Sequence, residues 1–107
     1  MKELKYQFEY FCSPIWILED NLENPIFINI SVDDLQVSTF LKNEIKDLDR
    51  IYQSTYNDEY PPEPYELKGE TNVLFVTRMV ESALLLKKET NGIFNLIFDS
   101  SYWNSKI

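Results

Sequence analysis

A chain of 107 residues with 44% hydrophobic and 15% aromatic side chains has material for one packed core and not for two, and lies outside the disordered class. Eighteen acids against ten bases give a formal charge of -8, which argues against nucleic acid or an anionic membrane as partner, since both demand a basic footprint. With Cys12 as the single cysteine an internal disulfide is impossible, and a reducing compartment is the natural home.

The opening MKELKYQFEYF lacks the continuous apolar core of a signal peptide, and no later run approaches membrane-spanning length, so a cytoplasmic protein is expected. Leu4, Tyr6, Phe8 and Tyr10 alternate with Lys5, Gln7, Glu9 and Phe11, a period of two that predicts a half-buried strand. Ser13 and Pro14 break it. Cys12 is expected to be a buried, inert thiol, because the chain has no histidine to lower its pKa. Ile15 to Leu18 then make a short strand at an edge or in a hairpin arm, followed by the polar turn EDNLEN. Pro25 opens a third strand in which Ile26, Ile28 and Ile30 share a face. Three strands with short polar links read as an antiparallel meander.

After the acidic turn at Asp33 and Asp34, Ser38 is placed to cap a helix from Thr39 to about Thr55. Leu41, Ile45, Leu48 and Tyr52 recur at helical spacing, so one stripe packs while Lys42, Glu44, Lys46, Asp47, Asp49 and Arg50 face water. The segment Tyr56 to Gly69 holds Pro61, Pro62 and Pro64 and cannot be helical. From Thr71 a second helix runs to Asn91-Gly92, with Lys87 and Lys88 at its negative end. Its polar residues form one narrow stripe, which predicts the most buried element, packed between the sheet and the first helix. Ile93 to Phe98 is nearly continuous in apolar residues and reads as a central strand. In the polar tail, Trp103 is expected to close one end of the core. The order β-β-β-α-α-β predicts a single α+β domain: an antiparallel sheet of about four strands with two main helices on one face.

The charge is clustered. From Glu19 to Asp34 there are five acids and no base, and from Asp58 to Glu66 four acids and no base. Acid beside tyrosine on a proline-stiffened loop favours recognition of a basic protein surface, since tyrosine supplies contact area at little entropic cost. Catalytic residues are not expected. Without histidine there is no Ser-His or Cys-His pair and no imidazole base, and two glycines make no phosphate-cradling loop. Asp33 with Asp34, or Asp58, Glu59 and Glu63, could hold Mg2+ or Ca2+, but without a matching loop pattern neither a metal nor any other cofactor is expected.

The tryptophan strand Ile15 to Leu18, the proline-led strand Pro25 to Ile30, the run Asp33, Asp34, Leu35, Val37 and Ser38 into the helix, and Tyr52 followed by Tyr56-Asn57-Asp58 and Pro61-Pro62 occur in an order with a parallel elsewhere. This order resembles a family of small immunity proteins that accompany polymorphic bacterial toxins, including those of contact-dependent growth inhibition systems. Such sequences often carry Leu-Pro-Leu-Ser before the helix where this chain has Leu35-Gln36-Val37-Ser38, and the likeness fades after Pro64. The resemblance implies cytoplasmic protection by tight, non-catalytic, one-to-one binding of a cognate toxin domain, commonly a nuclease. A nuclease cleft is basic, which suits an acidic binder. The residues expected to meet the toxin are Tyr56, Asp58, Glu59, Tyr60, Glu63, Tyr65 and Glu66, with Asp33 and Asp34 as a second patch. For Tyr52 and Tyr56, packing of the ring on the first helix is an equal alternative. Two other functions stay open: a secretion chaperone or adaptor that holds an effector in an apolar groove, and a carboxylate-metal hydrolase.

Overall fold

The computed structural model describes residues 1–20 and 23–106. The middle of the expected EDNLEN turn, at 21 and 22, and Ile107 of the tail lie outside the described residues. Three strands, β1 (Lys2–Tyr6), β2 (Ile15–Glu19) and β3 (Ile26–Ile30), lead through a 3-10 turn at Val32–Asp34 into helix α1 (Thr39–Ser54). Helix α2 (Gly69–Glu89), strand β4 (Phe94–Ile97) and the short helix α3 (Ser100–Asn104) complete the chain. The architecture is α+β, with a four-stranded sheet in the order β3-β2-β1-β4.

The meander of β1, β2 and β3 is antiparallel as expected, with Leu4 opposite Ile17 and Ile17 opposite Ile28. Strand β4 instead lies parallel to β1, with Leu4 beside Leu96, so the sheet is mixed. It is also an edge strand and not the central one its apolar run predicts. The reason lies in connectivity. β2 already occupies one side of β1, and the long helical crossover from β3 delivers β4 to the vacant side. Phe94 and Leu96 turn to the core, whereas Ile93 and Ile97 are exposed.

The helices cover the face formed by Leu4, Tyr6, Ile15 and Ile17. The other face carries Lys5, Trp16, Leu18 and Phe27, and the Lys5 ammonium sits 4.5 Å from the Phe27 ring centre and 5.4 Å from that of Trp16. On α1 the expected stripe is buried at Leu41, Ile45 and Leu48, with Tyr52 packed beside it. Ser38 Oγ accepts from the Leu41 amide at 3.1 Å and donates to Glu89 at 2.9 Å. One serine thus caps α1, worth about 1 kcal/mol, and ties it to the end of an antiparallel α2. Arg78 of α2 reaches back to Glu44 and Asp47 of α1 at 2.6 and 2.8 Å, so two of the acids expected to face water point between the helices.

Helix α2 starts two residues before the expected Thr71, at Gly69, whose φ of +59° favours a residue without Cβ. It ends where expected, with Gly92 at φ +84° just beyond it. It is not buried all round. Phe75, Val76, Met79, Ser82, Ala83 and Leu86 are buried, while Leu74 and Leu84 are 61% and 64% exposed. One sheet face and one helix can cover only two sides of a cylinder, and the third side meets solvent.

Strand β1 ends at Tyr6, four or five residues short of the alternation in the sequence. Residues 7–14 form a turn closed by the Gln7 amide on the Pro14 carbonyl at 2.9 Å. Cys12 falls in this turn and is half-buried, not buried as a strand residue facing the core would be.

Candidate functional site

The C-terminal end of α1 is where the chain collects its aromatics and loops. Phe8 and Tyr10 leave β1 and lie against Tyr52, with ring centres 5.5 and 4.7 Å away. Tyr10 donates its hydroxyl to Thr55 Oγ1 at 2.8 Å, because that hydroxyl already donates to the Tyr52 carbonyl. Trp103, on α3, stands edge-on to Phe8, Tyr52 and Phe75, closing this end of the core as expected. Tyr102 and Trp103 separate two clefts. One, of about 370 Å³, is floored by Phe8, Tyr52 and Phe98; the other, of about 390 Å³, opens between Tyr10, Tyr65, Leu67 and Phe75.

The loop after α1 rises from this aromatic base. Asn57 organises it: the side-chain oxygen accepts from the amides of Glu59 and Tyr60, both at 3.1 Å, while the side-chain nitrogen donates to the Glu63 carbonyl at 2.9 Å. The Tyr65 amide donates to the Thr55 carbonyl at 2.8 Å, which closes the loop at its neck. With Pro61, Pro62 and Pro64 restricting the remaining backbone, Asp58, Glu59, Glu63 and Glu66 are held outward and exposed. Tyr60 and Tyr65 are 56% and 53% exposed. Tyr56 differs: it is half-buried with Tyr10 and Phe11 against its ring, so it supports the loop from below.

Asp33 and Asp34 do not join this surface. They lie in the 3-10 turn beside the first half of α1, where Asp33 is 2.7 Å from Lys46. By helix rise, Lys46 is about 14 Å below Thr55 along α1. The hydrogen bond from Lys46 holds the Asp33 carboxyl below its usual pKa, and the same lysine offsets its charge. The loop and the turn are therefore two separate patches.

Sequence reading missed the turn between β1 and β2, which stands next to the loop. Gln53, in the last turn of α1, accepts from the Phe11 amide at 3.0 Å and donates to the Glu9 carbonyl at 3.0 Å and to Asp49 at 3.0 Å. A glutamine on the polar side of a helix gives no hint of such a clamp. The only signal was the Ser13-Pro14 break, which requires a reversal nearby.

Titration at this site is dominated by burial. Desolvation pushes the Tyr52 phenol up to about 12 from an ordinary 10.0, and Tyr6, whose hydroxyl donates to Ser82 at 2.8 Å, is pushed up further by the same cause. Both phenols are held neutral by the fold. Stability from this source is complete below the unfolded-state pKa near 10.0 and is lost as pH rises through the folded-state value. Urea midpoints should therefore hold steady from pH 8 to 9.5 and fall from pH 10 to 12, with Tyr6→Phe and Tyr52→Phe together flattening the fall. An unchanged slope in that double variant would contradict this assignment.

Among the described residues, no group of three or more histidine, cysteine or acidic side chains is placed to hold a metal ion, and no helix is long and apolar enough to cross a membrane. What the arrangement offers is a rigid acidic rim over an aromatic base, a chemistry of contact. Comparison with curated proteins finds no match. A family model does match, over residues 2–101, and so reaches well past Pro64, where the resemblance in the order of motifs fades. The chain belongs to the family described as Serratia CdiI immunity protein-like.

Proposed function

We propose that this immunity protein binds and neutralises one cognate toxin domain, a basic nuclease, in a one-to-one complex in the cytoplasm, by occlusion and without catalysis of its own. The observation that carries this reading is the loop Tyr56 to Glu66, whose four carboxylates and two outward tyrosines are fixed by Asn57 with no base among them. A pre-ordered acidic surface loses little entropy on binding and attracts a phosphate-binding cleft from a distance. The family supports a toxin as the target, and the net charge of -8 supports a basic one. Asp58, Glu59, Glu63 and Glu66 pair with Lys or Arg of the toxin, while Tyr60 and Tyr65 supply desolvated contact area. Tyr56 acts as a support, and Asp33 with Asp34 forms a peripheral patch.

The test is protection. Cells producing the toxin domain should grow when the chain is co-produced and stop when it is absent; an exported protein encoded beside this chain, if there is one, is the first source of that domain to try. The purified pair should elute together with the mass of one copy of each. Failure of the intact chain to protect against that domain would remove this reading.

A further inference from the structure

Phe11 is the one non-glycine residue with positive φ among the described residues, at 64°. The left-handed region crowds a Cβ against the backbone, and a bulky residue there is an outlier that the surroundings must impose. They impose it here through the clamp from Gln53, which holds the amide of Phe11 and the Glu9 carbonyl on one side of it, with a longer contact of 3.4 Å to the Cys12 carbonyl on the other. Asp49 fixes Gln53 in turn.

The strained residue presents its ring to solvent. Phe11 is 80% exposed, although its ring meets that of Tyr56 edge-to-face with centres 4.8 Å apart, and Tyr56 rests on Tyr10 at 5.0 Å. Strain and an exposed phenyl are both unfavourable for the free chain, and neither serves the core. Strained backbone held in place by a dedicated clamp marks contact sites, and an aromatic ring standing on a packed column is the form that binding anchors take. Its surroundings fit one kind of surface. Glu9 precedes it in the same turn and is exposed, and Tyr56, on which the ring rests, leads directly into Asp58 and Glu59. An apolar ring rimmed by carboxylates suits a basic protein face, where the stems of Lys or Arg pack on the phenyl while their charges meet the acids.

We propose that Phe11, held out by Gln53 and standing on Tyr56, is the apolar anchor of the contact with the basic toxin domain, and that the loop Tyr56 to Glu66 forms the charged rim beside it. This rests on the function proposed above and adds a second loop and a different energetic role. The rim governs how fast the partners meet, and the anchor governs how long they stay.

Phe11→Gly separates these roles, because glycine adopts φ near +64° without strain and removes the ring. With the full chain on the sensor surface and the inactivated toxin domain in solution, this variant should dissociate at least about thirtyfold faster, with association and thermal midpoint close to those of the unaltered chain. Phe11→Ala, which keeps the strained backbone, should lose retention to the same degree. Dissociation of either variant within about threefold of the unaltered chain, while Asp58→Lys with Glu59→Lys still slows association, overturns the anchor and leaves the proposed function standing. Absence of binding by the unaltered chain overturns both.

Discussion

Asp58→Lys combined with Glu59→Lys should slow association with the toxin domain by about ten- to a hundredfold at low ionic strength, the range over which clustered charge steers encounters. Both residues are exposed and follow Asn57, which braces the loop. The ion pairs among the described residues make no use of either side chain. Only the Glu59 backbone is engaged, so the substitution spares the loop, and the thermal midpoint should stay where it was. The difference between variant and parent should shrink as salt rises, because a Debye length of about 10 Å at 0.1 M shortens to about 3 Å at 1 M and screens exposed charge. Stopped-flow association across that range is the measurement. A rate that is salt-independent and indifferent to the reversal would mean that the loop does not face the toxin.

Leu48→Ala should have the opposite profile, lowering stability by about 2–5 kcal/mol without altering the charge that the molecule presents. Leu48 is fully buried on α1 among the side chains that join the helix to the sheet. For a domain of this size the loss corresponds to a fall in midpoint of about 10–20 °C, read by calorimetry or by urea titration. By comparison, the Arg78 clamp onto Glu44 and Asp47 is partly exposed, and solvent screening leaves pairs of this kind little net stabilisation. Apolar burial therefore decides whether α1 stays docked, and with it the neck of the loop at Thr55. A Leu48→Ala midpoint within a few degrees of the parent would show that the loop end of α1 is held by its hydrogen bonds instead.

Local chemistry was readable in the sequence wherever neighbours along the chain decide the structure. The stripe Leu41, Ile45 and Leu48, the Ser38 cap and the glycine stop after α2 all depend on residues within one or two turns of one another, and each appears as expected. Choices between distant partners were hidden. Nothing in IFNLIF records that β1 has a vacant side, so an apolar run that suits a central strand also suits an edge strand whose outward residues, Ile93 and Ile97, remain in solvent. Likewise the alternation from Leu4 to Phe11 continues beyond the strand, because Phe8 is still buried and Tyr10 still stacks, but against Tyr52 and not within a ladder. The candidate site was half visible for the same reason. The acids and tyrosines of Tyr56 to Glu66 share one stretch of chain, whereas Phe11 joins them through Gln53, forty-two positions away, and through the ring of Tyr56.

The antiparallel pairing of α1 and α2 also separates charge along the molecule. Lys87 and Lys88 close α2 at the end away from the loop, and Lys46 and Lys42 offset Asp33 along the first half of α1. The 21 residues of α2 place about 30 Å between its Lys87 and Lys88 end and the end beside the loop, where Glu9, Asp58, Glu59, Glu63 and Glu66 lie. A molecule so divided is an electric dipole, and in the field of a cationic body it experiences a torque that turns its acidic tip forward before the surfaces touch.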